Sequence, residues 1–458
     1  MITKILRRPI ALFAVAATVA LCAVPARAEA AGLTGTLGAI SAIDTLWVLM
    51  AAFFVFFMQA GFGMVEAGFI RSKNTCNILT KNFVDYCSAS IMFFLVGYAF
   101  MFGEGNSFIG WDGFALGGGA EASDGSGAAA VSVATHLPIW AFWLFQAAFC
   151  GAAATIVAGG MAGRMKFHAY LLYTIVISGL IYPIVGHWIW FPGGWLANMG
   201  FQDFAGSTVV HATGGCAALI GTILLGPRLG KYRGGKVKAI LGHSIPLASL
   251  GVFILWFGWF GFNPGSTLGI SGGNTNSAAM VAINTNLSAA AGALSAMAMI
   301  WLFVGKPDLG MTMNGCLAGL VAITAPCAAV TPGASLVIGA VGGVIVVLGT
   351  LLLDRIRVDD PVGAFPVHGM NGIWGTLSVG LFATEGGLFY GGGAGLLGVQ
   401  ALGTFAVAGF VMVSMGLVFA AIKYTVGLRV SKEEELRGLD ITEHGMEAYA
   451  GFQIFSTT

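Results

Sequence analysis

Apolar stretches long enough to cross a bilayer follow one another through almost the whole chain. About 20 consecutive apolar residues span the hydrocarbon as an α-helix, and a helix satisfies its own backbone polar groups where no water is present. Eleven such segments are read, near 43–70, 78–103, 137–162, 168–190, 207–226, 243–264, 276–304, 311–330, 333–353, 365–384 and 397–423. The expected fold is therefore an all-α polytopic membrane protein. Only 9% of the residues are charged, against about 25% in soluble domains. The 70 glycines suit a bundle in which helices approach closely. A net charge of +1 offers no basic patch for nucleic acid.

The first 28 residues read as a secretory signal. Lys4, Arg7 and Arg8 precede an apolar core from Ile10 to Val24, and Ala26-Arg27-Ala28 is a small-x-small cleavage site. The mature chain then starts near Glu29 outside the cytoplasm, with a transmembrane domain over 29–425 and a cytoplasmic tail over 426–458. Every Lys and Arg after the signal falls in the odd-numbered connections, at the near end of the second helix (Lys81) or in the tail. Loop 104–136 carries Glu104, Asp112, Glu121 and Asp124 and no basic residue. By the positive-inside rule, the odd connections and the tail face the cytoplasm.

Two histidines lie inside these apolar segments in the same phrase. Asp203-Phe-Ala-Gly-Ser-Thr-Val-Val-His211 continues to Gly215, and Asp360-Pro-Val-Gly-Ala-Phe-Pro-Val-His368 continues to Gly372. An ionisable residue in hydrocarbon is a functional-site hypothesis by default. The histidines fall in the fifth and tenth segments, which predicts two five-helix repeats. An odd number of helices per repeat inverts the second half, and the eleventh helix is an addition. A neutral imidazole offers one donor and one acceptor, so two facing each other in a narrow pore suit passage of a small hydrogen-bonding molecule or a proton. The plainer reading is two structural histidines bonded to backbone carbonyls. No carboxylate or cysteine stands at helical spacing beside them, so no metal site is expected. The six mature cysteines read as buried small apolar residues.

Other features carry weaker signals. Trp190 closes the fourth helix, Phe149 lies in the third, and Phe262 and Ser266 lie at the end of the sixth. Aromatic faces hold a dehydrated cation at about 0.5–2 kcal/mol per contact, although interfacial Trp and core Phe are ordinary in membrane proteins. Asp203 and Asp360 stand where a carboxylate accepts N–H groups at a helix start; a negative field at an external cation site is the sharper role for Asp203. Glu66 reads as structural, and Lys81 and Asp85, four residues apart, as an ion pair. The chain has no nucleophile–base pair and no Walker, Rossmann or kinase motif, so neither an enzyme nor ATP drive is expected, and no cofactor.

These residues resemble the ammonium transporter (Amt/Mep/Rh) family, its Amt branch and bacterial type in particular. The resemblance rests on both histidine phrases, on Trp259-Phe-Gly-Phe-Asn-Pro-Gly-Ser266, on Ile70-Arg-Ser-Lys-Asn74 and on Gly427-Leu-Arg-Val-Ser-Lys-Glu-Glu-Glu-Leu-Arg-Gly-Leu-Asp440. It implies eleven helices in two inverted halves, a homotrimer with one pore per subunit, and residence in the bacterial inner membrane. It implies that Trp190, Ser266 and Phe149 bind ammonium externally. It further implies that Phe149 and Phe262 form a gate, His211 and His368 the pore pair, and that Asp203 acts structurally and electrostatically. Ammonium or ammonia, with methylammonium as an analogue, is the implied substrate, and a PII-type signal protein the implied partner of the tail. A sensor acting through a cytoplasmic partner and an Rh-type neutral gas channel are the alternatives. Fused sensors carry an added domain, for which the tail leaves no room, and Trp190 argues against the gas channel.

Overall fold

The computed structural model describes residues 36–117 and 137–449. The expected signal peptide, the middle of loop 104–136 and the last nine residues lie outside the described residues. The chain separates into two compact units, Met1–Ile40 and Ser41–Thr458. Residues 36–40 of the first are helical; the architecture that follows is that of the second.

Among the described residues nine helices are long and apolar enough to span a bilayer: α1 (Ala42–Phe69), α2 (Ser72–Phe102), α3 (Ile139–Met161), α4 (Phe167–Asn198), α5 (Ser207–Leu225), α6 (Ile245–Gly265), α7 (Asn274–Val304), α9 (Pro332–Arg355) and α11 (Gly395–Thr425). Between them lie two shorter ones, α8 (Leu309–Thr324) and α10, made of a π-helical turn Phe365–Met370 and the helix Asn371–Phe382. The sequence predicts α8 to run to residue 330. It stops at Thr324: Ala325 keeps helical backbone angles, but Pro326 has no N–H with which to continue the ladder. The Ala325 N–H is instead taken by Ser207 Oγ at 2.7 Å. From Met313 onward α8 is buried along its whole length, so protein rather than lipid surrounds it.

The two histidine phrases fold the same way. The Asp203 carboxylate accepts the backbone N–H groups of Gly206, Ser207, Thr208 and Val209 at 2.8–2.9 Å. The Asp360 carboxylate accepts those of Gly363, Ala364 and Phe365 at 2.8–3.1 Å. In both, the residue three after the aspartate is a glycine with positive φ, Gly206 at 115° and Gly363 at 82°, a conformation that costs a side-chain-bearing residue energy. A π-helical turn follows in both, Ser207–Ala212 and Phe365–Met370.

These turns cross in close contact. A β-carbon on Gly215 would stand 2.1 Å from the Gly369 nitrogen, and one on Gly372 would stand 2.4 Å from the Ser207 oxygen and 2.7 Å from the Ala212 nitrogen. Residue 215 lies against 369 while 372 lies against 207 and 212, so α5 and α10 run in opposite directions through the crossing. Each histidine stands next to the point where its partner helix passes.

The connections bearing Arg71, Lys73, Arg164 and Arg228 gather at one end of the bundle with the chain after α11. Lys73 Nζ donates to the Glu435 carbonyl at 3.0 Å, Lys166 N–H to that of Leu428 at 3.1 Å, and Leu229 N–H to the Glu435 carboxylate at 2.7 Å. A short helix, α12 (Lys432–Arg437), is closed by a Ser431–Glu434 capping box. Beyond it Asp440 accepts the Asn77 N–H at 2.8 Å, and His243 meets the Tyr449 hydroxyl at 2.7 Å. This is the basic end; Trp190 marks the opposite, aromatic end.

Two further expectations fail. Lys81 and Asp85 do not pair. Lys81 Nζ donates to the Met165 carbonyl at 2.7 Å, whereas Asp85 accepts the hydroxyls of Thr155 and Tyr170. Both are buried, and each is held by a neighbouring helix or loop more directly than by the other. The cysteines are not uniformly buried: Cys150, Cys216, Cys316 and Cys327 are, but Cys87 is exposed and Cys76 half-buried, because those two point away from the core of α2.

Candidate functional site

A file of side chains runs from the aromatic end inward. It begins in a cavity of about 140 Å³ bordered by Phe145, Gln146, Phe149, Trp190, Phe204 and Ser266. Trp190 stands on the last turn before α4 breaks at Phe191, and its indole N–H donates to the Asp203 carbonyl at 2.7 Å. That bond fixes the ring plane and ties it to the loop capping α5. Ser266 Oγ donates to the Phe262 carbonyl at 2.8 Å, which leaves its lone pairs for a donor such as a protonated amine.

The floor of the cavity is aromatic. Phe149 meets the Trp190 ring edge-on at 6.0 Å between centroids and stacks on Phe262 at 4.0 Å and 32°. Both phenyls are buried. In this packing they close the way inward to anything carrying a hydration shell.

Past Phe262 lie the histidines. The His211 ring is near-parallel to Phe262 at 5.3 Å, to Trp259 at 5.2 Å and to His368 at 5.2 Å. The two Nδ1 atoms face each other at 3.2 Å. With both rings neutral, one Nδ1 must donate and the other accept, so the pair shares one proton between them and differs in tautomer. His211 Nε2 is buried with no partner among the described residues. Neither ring donates to a backbone carbonyl, the arrangement the plainer reading requires.

Beyond His368 a small cavity of about 20 Å³ is bordered by Phe62, Glu66, Leu255, Asn314, Val362 and His368. Past it Asp360 caps α10, and Asp359 forms a bidentate pair with Arg228 at 2.8 Å. Burial alone would push the Asp359 carboxyl up; the bonds from Arg228 and the nearby Arg164 charge hold it at about 2. Among the described residues no cluster of three or more His, Cys, Asp or Glu could hold a metal.

The structure thus brings Trp190, Phe149, Phe262, Ser266, His211 and His368 into one line and sets Asp203 and Asp360 behind its two ends. Five residues at the site have no functional role in the sequence analysis. Trp259, which stacks on His211 and donates to Thr324 Oγ1 at 2.9 Å, was quoted without a role. Gly206 and Gly363 were visible, since each follows its aspartate by three residues. Glu66 and Asn314 meet only through tertiary packing and have no local signal.

The comparisons agree with one another. Residues 46–449 match the Ammonium Transporter Family. The chain belongs to this family. It is 47% identical over 406 residues to a putative ammonium transporter of Synechocystis sp., covering 87% of this chain and 88% of that one. It is 46% identical to ammonium transporter Amt2 of Archaeoglobus fulgidus, covering 89% and 88%. Among solved structures, a sensor Amt protein superposes with a TM-score of 0.81 at 39% identity over 89% of this chain and 99% of that one. Mep2 of Candida albicans superposes at 0.80 with 28% identity over 93% and 96%. The family is one of multi-pass membrane transporters, and the line from Trp190 to His368 passes through the middle of its fold in this chain.

Proposed function

We propose that the protein carries ammonium across a membrane by binding it at the aromatic end, removing a proton at the phenyl gate and passing ammonia by the histidine pair. One observation carries this reading: the aromatic cavity, the Phe149–Phe262 stack and the His211–His368 pair form a single file. Trp190 and Phe149 offer π-faces to a cation, and Ser266 offers lone pairs. The gate is too tightly packed for a hydrated ion, so the species that passes has shed its water and its charge. The imidazoles then supply one donor and one acceptor to ammonia where hydrocarbon would supply none.

In the same reading the aromatic end faces outward and the basic end faces the cytoplasm of a bacterial inner membrane, with all eleven helices inserted. Residues 1–28 are the signal peptide, 29–425 the transport domain and 426–458 a regulatory tail. The assembly is a homotrimer, methylammonium is an alternative substrate, and the docked tail is the surface for a PII-type protein. The likeness to a sensor Amt protein supports a second reading, in which the same pocket reports ammonium to a cytoplasmic partner.

The test is transport by purified protein in liposomes, read as internal pH change after an ammonium pulse, for wild type and His211→Ala. Loss or altered selectivity at normal protein yield supports the pore. A variant that transports and discriminates like wild type rules out the shared-imidazole path. Wild-type protein that binds ammonium but moves none favours the sensor.

A further inference from the structure

Glu66 was read from sequence as structural, yet it borders the small cavity directly beyond His368. The side chain is 2% exposed. Its Oε2 accepts the Asn82 amide at 3.0 Å. Its Oε1 has no protein hydrogen bond and no cation pairs with it among the described residues. The charges that act on it through the protein are Asp85, Asp360 and Lys81, and Lys81 is committed to the Met165 carbonyl. Gly159 packs beside it: a β-carbon there would reach Oε1 only in ordinary contact, at 3.4 Å, but would stand 2.4 Å from the Val362 side chain. A buried acid without a cation, inside a membrane bundle and beside a proposed conduction path, calls for a functional account.

The other polar groups on the same cavity point to one. Asn314 donates its amide to the Val362 carbonyl at 3.2 Å, but its buried Oδ1 has no partner among the described residues. His368 has its Nδ1 turned to His211, so the nitrogen free for the cavity is Nε2. The volume of about 20 Å³ has room for about one water. Three polar groups thus surround a space that fits a single water.

We propose that Glu66 is the inner proton acceptor of the pore, taking from His368, through one water, the proton released at the gate. The inference rests on the transport reading above and settles what that reading leaves open, the fate of the proton. The transfer balances without an oxidant or co-reactant. The Nε2–H bond of a protonated His368 breaks and its proton joins the cavity water. That water gives one of its own protons to Glu66 Oε1. The imidazolium becomes neutral imidazole and the carboxylate becomes carboxylic acid. Ammonia arriving by the same cavity then takes the proton from Glu66, leaves as ammonium at the basic end and restores the carboxylate. Transport in this protein therefore carries charge.

The test uses the full chain in liposomes on a solid-supported membrane. The current from an ammonium pulse is compared with the ammonia-driven internal pH change, in wild type, Glu66→Gln and Glu66→Asp. The expected result is a current in wild type and a fall of about tenfold or more in the ratio of current to ammonia flux in E66Q. Partial recovery is expected in E66D, which keeps a carboxylate. An E66Q ratio equal to wild type overturns the proposal. Equal loss in both variants overturns it too, because length rather than charge would then matter. Wild-type protein that moves ammonia without current overturns it and leaves the transport reading standing; wild-type protein that moves neither overturns both.

Discussion

Gly215 and Gly369 touch backbone to backbone, so closely that a single β-carbon on Gly215 would stand 2.1 Å from the Gly369 nitrogen. This contact sets the separation of the two histidine turns. Gly215→Ala should push α5 and α10 apart at an overpacking cost of about 1–3 kcal/mol. Gly409→Ala in α11, where a β-carbon meets open space, should be neutral or slightly stabilising. Thermal melts of the two variants in detergent check the contrast.

Trp190 is held in plane by its bond to the Asp203 carbonyl. Trp190→Ala should raise the half-saturating ammonium concentration by about 5–30-fold, from the loss of a cation–π contact of roughly 1–2 kcal/mol. The maximal rate should change less, because the gate and the histidines remain. A concentration series of ammonium pulses measures both.

The Asp203 carboxylate serves four N–H groups with two oxygens. Asp203→Asn replaces one oxygen with a donor aimed at donors. Each N–H left buried without a partner costs about 1–3 kcal/mol. The expected outcome is a clear drop in melting temperature and yield, read by fluorescence-detected size exclusion before and after heating. Asp360→Asn, with three bonds to serve, should lose less.

Asp359 links stability to acid pH. Its folded carboxyl, at about 2, lies below the ordinary value of 3.8. A depressed value means its contribution is fully present above about pH 4 and disappears as the pH falls toward 2. The shift corresponds to about 2 kcal/mol. Asp359→Asn should melt lower than wild type at pH 7 and approach it near pH 2.5, in melts across that range.

How far the sequence foretold this arrangement varies with the physics of each part. His211 and His368 were legible because they repeat one phrase, and a repeated phrase in inverted halves implies proximity. Gly206 and Gly363 belonged to that phrase and were overlooked, since Asp, His and the later Gly already sufficed to match it. Lys81 and Asp85 show the limit of local spacing: four residues apart on one helix, each is claimed by a tertiary partner, Met165 and Tyr170. The short α8 escaped because apolar residues past Pro326 continue the hydrophobic run without continuing the helix. Glu66, Asn314 and His368 come from three helices and meet only in the folded chain.

The antiparallel passage of α5 and α10 has an electrical consequence. Each helix carries a positive partial charge at its amino end, covered by an aspartate, and a negative one at its carboxyl end. Running in opposite directions past a common point, the two dipoles oppose each other, so along the pore axis their fields largely cancel at His211 and His368. A proton on the pair is then urged toward neither side by the helices that hold it. Net direction then comes from the concentrations and voltage that the membrane supplies, while the unequal termini, π-faces at one and a lone carboxylate at the other, set how readily each end is occupied.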